Sequence, residues 1–278
     1  MKAGPTPAGK GSWGWLQRAQ RLLRRAAPLL AVGAFPVGTW LIWRELAGQG
    51  YAALAAAAHS VPDAALAAAL GCTVAGYAVR SGHDLLALRF VRRRLPLRTV
   101  ATASFLANAL SNNVGNALVT GAAARYWIYA SAGLSAAENT RIVLFCGIGA
   151  GLGWMGIAAL AWGATPGWRL AGGALALAVL AYLALSASRR GWAGGGWRLQ
   201  LPWRGLGLGE LAIGMLELVC MAAALYVLLP QGASVAPGRF LAVFALAFAA
   251  GAASHVPGGL GVFEGVVLSL LGGAIAPP

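Results

Sequence analysis

The chain has 278 residues, 59% of them hydrophobic and only 10% charged, with a mean hydropathy of +0.70. A soluble domain of this length has no use for so much apolar side chain, so the composition excludes a water-soluble globular enzyme and points to several bilayer spans. Lys and Arg number 21 against 7 Asp and Glu, a formal charge of +14. The basic residues cluster between apolar runs, which fits anionic lipid head groups and topology control better than nucleic acid.

Lys2, Lys10, Arg18, Arg21, Arg24 and Arg25 precede the first apolar run, residues 26–46. Residues 15–26 are amphipathic at helical spacing. Arg18, Arg21, Arg24 and Arg25 share one side, and Trp15, Leu16, Ala19, Leu22 and Leu23 share the other. The apolar run closes in Trp43-Arg44-Glu45 without a small-residue cleavage site, so it is an uncleaved span and not a signal peptide. Residues 1–25 are therefore expected to form a cytoplasmic basic segment, ahead of a membrane domain over 26–278. Further complete spans are expected at 64–88, 140–163, 170–187 and 209–229. Cys72, Cys146 and Cys220 each lie inside an apolar run without metal-ligand spacing and read as small packing residues.

Two apolar segments are interrupted. Residues 100–118 carry Ser111-Asn112-Asn113-Val114-Gly115-Asn116, and residues 240–271 carry Ser254-His255-Val256-Pro257-Gly258-Gly259-Leu260-Gly261. Asn clusters and Pro-Gly-Gly break helices, and backbone freed at membrane depth must be buried in protein or line a wet cavity. Charge decides how the first one runs. A segment that dips in and returns puts the N-terminal cations, Arg89–Arg98, Arg125, Arg141 and Arg189–Arg204 inside, leaving Arg44, Arg169 and Arg239 outside. A full crossing spreads the cations more evenly, against the positive-inside rule. The segment is thus expected to be re-entrant from the cytoplasm, with residues 119–138 on that face. The second broken segment then enters from the opposite face, and Phe105 with Ser111-Asn-Asn-Val-Gly echoes Phe248 with Ser254-His-Val-Pro-Gly. The expected fold is an all-α polytopic membrane protein with two re-entrant broken segments. An inverted repeat and chance similarity both account for the echo.

Arg80, His83 and Asp84 share a helix face near the end of the second span and form a candidate ion-pair or proton site. The plainer alternative has Arg80 snorkelling and Asp84 pairing with Arg80 or Arg89 at the interface. Glu217 lies mid-span and needs a partner or a proton. Asn112, Asn113 and Asn116 offer amide donors and acceptors to a lipid head group, or serve the broken helix's own backbone. Arg125 suits bidentate phosphate binding, or a positive-inside anchor. His255, Gly258, Gly259 and Glu264 form a compact set where a helix restarts, with backbone N–H groups available to an anion. Glu264 alternatively acts as a helix-end charge. No metal site is expected, no cofactor is called for, and the dispersed carboxylates offer no catalytic cluster.

His83-Asp84-Leu-Leu-Ala-Leu-Arg-Phe, Ser111-Asn-Asn-Val-Gly, Thr120-Gly-Ala-Ala-Ala-Arg-Tyr, Gly133-Leu-Ser and His255-Val-Pro-Gly-Gly-Leu-Gly-Val-Phe-Glu run in one collinear order from about residue 65 to 272. In that order they resemble the transmembrane region of the lysylphosphatidylglycerol synthase/flippase family, the multiple peptide resistance factors and their synthase-less relatives. The resemblance implies a multi-pass protein of the bacterial inner membrane that flips or binds anionic or aminoacylated phospholipid such as lysylphosphatidylglycerol, and so contributes to antimicrobial peptide resistance. Because polar groups at membrane depth are costly unless buried or hydrated, Asn112, Asn113, Asn116, Arg125, Glu217, His255, Gly258, Gly259 and Glu264 are expected to converge on the lipid from the two broken segments and neighbouring helices. His83 stands where the family pattern has Tyr. The family's cytosolic aminoacyltransferase domain and last apolar segment have no counterpart here, so the membrane domain is expected to lack its C-terminal helices. An intramembrane lipid-modifying enzyme and the anchor portion of a phosphatidylglycerol lysyltransferase are the alternatives. The expected partners are anionic phospholipids and the membrane, with homo-oligomerisation left open.

Overall fold

The computed structural model describes residues 56, 59–114, 117–187, 192–194, 197–199, 202–230, 232–254 and 256–275. The basic segment 1–25 and the span at 26–46 lie outside the described residues, as do the three residues at the C-terminus. The described elements are α1 (Asp63–Phe90), α2 (Leu97–Val114), α3 (Ala117–Ser131), α4 (Ala136–Ala164), α5 (Arg169–Ala187), a two-stranded ribbon β1 (Trp192–Gly194) and β2 (Trp197–Leu199), α6 (Arg204–Tyr226), α7 (Pro237–Ser254), a 3₁₀ turn at Pro257–Gly259, and α8 (Val262–Ile275). The ribbon, antiparallel with Trp192 opposite Leu199, qualifies the all-α expectation only in the loop between α5 and α6. Helices α1, α4, α5, α6 and α7 are long and apolar enough to cross a membrane. Large apolar side chains such as Leu70, Trp127, Leu160, Leu170 and Leu177 face outward, where a bilayer and not water is the solvent. The chain is a polytopic helical membrane protein.

Local signals set the helix ends. Pro62 precedes α1 with its φ already fixed at −61°. At the other end Arg92 takes the left-handed conformation (φ 57°) while the Arg93 N–H reaches back to the Leu88 carbonyl, closing the last turn. Helix α4 opens on a capping box. The Ser135 hydroxyl accepts from the Glu138 N–H, and Glu138 accepts from the Ser135 N–H at 2.8 Å. The second oxygen of Glu138 receives Arg93 Nε at 2.7 Å, tying the α1–α2 loop to the start of α4.

Three close contacts between helices hold the centre. Along α1 and α6, Gly76 lies beside Cys220, Gly82 beside Ile213 and Gly209 beside Leu86, so the two run antiparallel. Helices α4 and α6 touch backbone to backbone, since a Cβ on Gly214 would fall 2.8 Å from the Gly153 Cα. Glycines four apart on α4, Gly149 and Gly153, make that approach available, and close approach replaces the missing hydrophobic drive between helices in lipid. Gly172 of α5 sits in the same way on Gly163 of α4. Two side-chain ties add to this, Trp154 Nε1 to the Ala245 carbonyl (2.7 Å) and Trp162 Nε1 to the Ala242 carbonyl (3.0 Å), fixing α7 on α4.

Both broken segments are helical hairpins whose two ends lie together. At one end of the bundle Ala87 and Leu88 of α1, Val100 and Ala103 of α2, Tyr129 of α3, Leu134 of the loop that follows it, Ile142 and Phe145 of α4, and Leu206 of α6 form a single buried cluster. The α2–α3 pair therefore starts and finishes there, joined to its neighbours by the short loops 91–96 and 132–135. At the opposite end Ala222 of α6, Val235, Phe240 of α7 and Leu271 of α8 pack together. There the Ser234 N–H donates to the Ala274 carbonyl at 3.1 Å, and Arg239 Nη2 to that of Leu270 at 3.2 Å, so α7 and α8 also start and finish together. The two hairpins thus enter from opposite ends, and the 3₁₀ turn of the second packs against α2 of the first.

Two expectations need correction. The first break does not begin at Ser111: the helix continues through Val114, with Ser111 donating its hydroxyl to the Ala107 carbonyl, and α3 resumes at Ala117. A hydroxyl bonded four residues back lets a polar residue ride inside a helix, as Ser111 does here. Residues 119–138 accordingly do not all lie at one face. Most of them form the returning limb α3, and only 132–135 make the connection.

In a background where Cys72, Cys146 and Cys220 are replaced by Ala, cysteines at Arg94 and Ser131 should label from one face of a sealed vesicle. Cysteines at Pro166 and Ser234 should label from the other. Opposite-face labelling of Arg94 and Ser131 would show that α2–α3 crosses the bilayer. Packing makes a second prediction: Gly153→Ala should cost about 1–3 kcal/mol, the scale of overpacking. Gly151→Ala, with nothing within 4 Å of the added methyl, should leave the melting temperature in detergent unchanged.

Candidate functional site

A continuous set of buried ionisable groups lies where α1, α3, α4 and α6 meet. Asp84, fully buried on α1, accepts Nε and Nη2 of Arg125 at 2.9 and 3.0 Å, a bidentate pair, and also the Tyr129 hydroxyl at 2.9 Å. Arg125 and Tyr129 are four apart on α3, so one helical turn delivers both donors to one carboxylate. This is the tie that seats the returning limb of the first hairpin on the bundle. One helical turn back along α1, Arg80 pairs through Nη1 with Glu217 of α6. His83 Nε2 stands 3.5 Å from the other oxygen of Glu217, too long for a firm hydrogen bond.

The set extends toward α5. Glu210, fully buried on α6, accepts the Tyr182 hydroxyl at 2.7 Å through one oxygen, while its other oxygen has no hydrogen-bond partner among the described residues. Gly149 of α4 makes room for this. A Cβ built there would fall 2.6 Å from His83 Nδ1 and 3.4 Å from Glu210 Cγ, so the imidazole and the Glu210 side chain flank the same glycine. Ser104 and Asn108 of α2 are also buried, with Asn108 Nδ2 donating to the Ser104 carbonyl at 2.7 Å.

The sequence expectations fare unevenly against this geometry. Arg80, His83 and Asp84 do share a face, yet Asp84 pairs with neither Arg80 nor Arg89. Its partner is Arg125, brought in from α3, and Arg80 goes to Glu217. Arg125 is consequently not an exposed cytoplasmic anchor. Its Nη1 points past the Asp84 pair toward Gly121 on the hairpin's inner side, where a Cβ on Gly121 would lie 3.7 Å away. Glu264 accepts the Gly261 N–H at 2.7 Å and so serves the start of α8 as a helix-end charge. Gly258, Gly259 and Gly261 all have positive φ, and Gly259 folds back onto Gly251 of α7. Asn112 and Asn113 fall in the last turn of α2, whose side chains there lie outside the described residues, as do Asn116 and His255 altogether.

Glu210, Tyr129 and Tyr182 are members that the sequence reading missed. Glu210 precedes Glu217 by seven residues, two helical turns on one face, and that spacing was the available signal. It was obscured because the span was expected to begin only at 209, which put Glu210 at its very end, whereas α6 already begins at Arg204.

No family model matches the chain. It is 29% identical over 269 residues to the uncharacterized protein slr0712 of Synechocystis sp., an alignment covering 91% of this chain and 83% of that protein. It is also 29% identical over 223 residues to the inner membrane protein YbhN of Escherichia coli, covering 75% of this chain and 69% of YbhN. The chain is homologous to a bacterial inner-membrane protein, and its several apolar helices agree with a multi-pass protein of that membrane.

Breaking a buried pair on one side strands a charge, at a cost of about 3–5 kcal/mol, whereas apolar replacement of both partners is far milder. Asp84→Asn should therefore lower the melting temperature in detergent much more than the double variant Asp84→Leu/Arg125→Met. Equal melting of Asp84→Asn and the wild type would show that the pair does not hold α3 in place.

Proposed function

We propose that this protein binds anionic phospholipid and moves it between the leaflets of the inner membrane, with residues 26–278 as the translocating domain. The single observation carrying the reading is the meeting of two helical hairpins that enter from opposite ends, the 3₁₀ turn of one lying against α2 of the other. Broken helices at membrane depth are tolerated where they line a cavity, and paired breaks of opposite entry mark a substrate site near the midplane. The collinear motifs that resemble the lysylphosphatidylglycerol synthase/flippase family support the same class, and make an aminoacylated phosphatidylglycerol one candidate cargo.

In this reading the cytoplasm faces the end where α1 finishes and α4 begins, which gathers Arg89, Arg92, Arg93, Arg94, Arg98 and Arg141 on that side, and the N-terminus lies there too. The basic stretch 1–25 rests on the anionic surface. Asn112, Asn113, Asn116 and His255 contact the head group from the two turns. The backbone N–H groups around Gly258 and Gly259 offer further donors to its phosphate. Arg125, its charge already engaged by Asp84, offers Nη1 on the inner side of the first hairpin as a cation for the phosphate, and Glu217 belongs to the charged set behind it.

The test uses the full chain reconstituted in vesicles with fluorescent NBD-phosphatidylglycerol, read by dithionite quenching. Lipid movement should exceed that in protein-free vesicles and exceed movement of NBD-phosphatidylcholine. Asn113→Ala and His255→Ala should each slow it about tenfold or more, the scale of losing one hydrogen bond to a charged group. Movement of NBD-phosphatidylglycerol no faster than in protein-free vesicles would overturn the reading.

A further inference from the structure

The corner where α1 ends and α2 begins carries positive charge that the fold does not cancel. Arg89 in the last turn of α1, Arg92, Arg93 and Arg94 in the loop 91–96, and Arg98 at the start of α2 are all exposed. Arg93 is answered by Glu138 of α4. The other described acids are engaged or distant. Asp63 opens α1 at its far end, Asp84, Glu210 and Glu217 are buried, and Glu264 holds the Gly261 N–H. Among the described residues Arg89, Arg92, Arg94 and Arg98 therefore meet no carboxylate. Like charges crowded onto one short loop repel, and a bound anion relieves that repulsion.

Arg92 is out of place on backbone grounds. It takes the left-handed conformation (φ 57°), which a Cβ makes costly and which glycine ordinarily fills at a helix end. What arginine adds at this position is charge at the corner. Below the corner, α2 shows the bilayer an apolar track. Arg98 and Phe105 are seven apart, two turns along one face, with Ala101 and Thr102 exposed between them. Leu97, Phe105, Leu106 and Leu110 are exposed, whereas Ser104 and Asn108 are buried against the bundle. From Leu97 to Leu110 the helix rises about 20 Å, enough to flank the ~15 Å of hydrocarbon in one leaflet. Cations at the head of an exposed apolar strip of that length match a phospholipid, head group and acyl chain together. A free anion would engage the arginines alone.

We propose that the α1–α2 corner binds an anionic phospholipid from the adjoining leaflet, with Arg92, Arg94 and Arg98 at the phosphate and the exposed face of α2 along an acyl chain. Arg89 adds to the local field. Guanidiniums hold a more negative head group more tightly, so a phosphomonoester outranks a phosphodiester and a zwitterionic head group comes last. The site lies apart from the two hairpin turns where the translocation reading places the head group. It stands whether or not lipid crosses the membrane.

The experiment embeds the full chain in phosphatidylcholine nanodiscs doped with a phosphatidate that carries a photoactivatable diazirine in one acyl chain. Crosslinks mapped by mass spectrometry should concentrate between Leu97 and Leu110. They should exceed those from a phosphatidylcholine bearing the same group by about fivefold or more, with phosphatidylglycerol in between. Arg94→Gln and Arg98→Gln should each cut phosphatidate labelling about fivefold, the scale of one arginine at an anionic surface, and added sodium chloride should weaken it further. Arg92→Gly separates charge from backbone. Labelling should fall while the melting temperature holds or rises, because glycine relaxes the left-handed turn. Equal labelling of α2 by the phosphatidate and the phosphatidylcholine, read on the wild-type protein, would overturn the site and leave the arginines as topology determinants. Unchanged labelling of Arg92→Gly, Arg94→Gln and Arg98→Gln alike would do the same. Displacement of the phosphatidate by millimolar inorganic phosphate would overturn it in favour of a site for the free anion.

Discussion

The Asp84–Arg125 pair is the contact on which the remaining architecture depends. Its two parallel hydrogen bonds, with the Tyr129 hydroxyl as a third, cross from a full-length span to the returning limb of a hairpin. A charge taken into a low-dielectric interior is tolerated only when paired and fully hydrogen-bonded, so this carboxylate can settle in one place alone. Because α3 is thereby fixed on α1, the first hairpin folds back to the end it came from.

The glycines carry out the complementary task. Where Gly153 meets Gly214 and Gly172 meets Gly163, backbones approach to contact, and in lipid such close packing is the main attraction between helices. Gly149 belongs to the same stripe yet serves a different end, since its missing side chain leaves room for the His83 ring beside Glu210. Packing and polar chemistry thus share one helix face. That explains how a chain so poor in acids concentrates its buried carboxyls in one place.

The two hairpins differ in how they answer the backbone problem. In the second, Pro257 and three glycines with positive φ make a sharp turn, and local groups satisfy what the break releases: Ser254 accepts from the Val256 N–H and Glu264 from that of Gly261. In the first, the helix absorbs its polar residues and runs on to Val114 before stopping. A shared pattern of entry from opposite ends coexists with unlike local chemistry, and faint sequence similarity between the halves is the expected consequence.

Sequence alone determined that this is a polytopic helical membrane protein, because runs of apolar residues long enough to cross hydrocarbon admit no other regular structure. It located four of the described spans to within a few residues and the second break almost to the residue, since Pro-Gly-Gly acts through local backbone geometry. It singled out Arg80, His83, Asp84 and Glu217 as costly at membrane depth, and Arg125 as a phosphate ligand or an anchor at the membrane face. Which of them pair was decided by tertiary structure, because Asp84 and Arg125 lie on different helices and each had nearer partners of opposite charge along the chain. The burial of Glu210 was decided there too. A carboxylate at the end of an expected span gives no sign of burial until packing against α4 and α5 encloses it, and enclosure is a property of neighbours that no local pattern encodes.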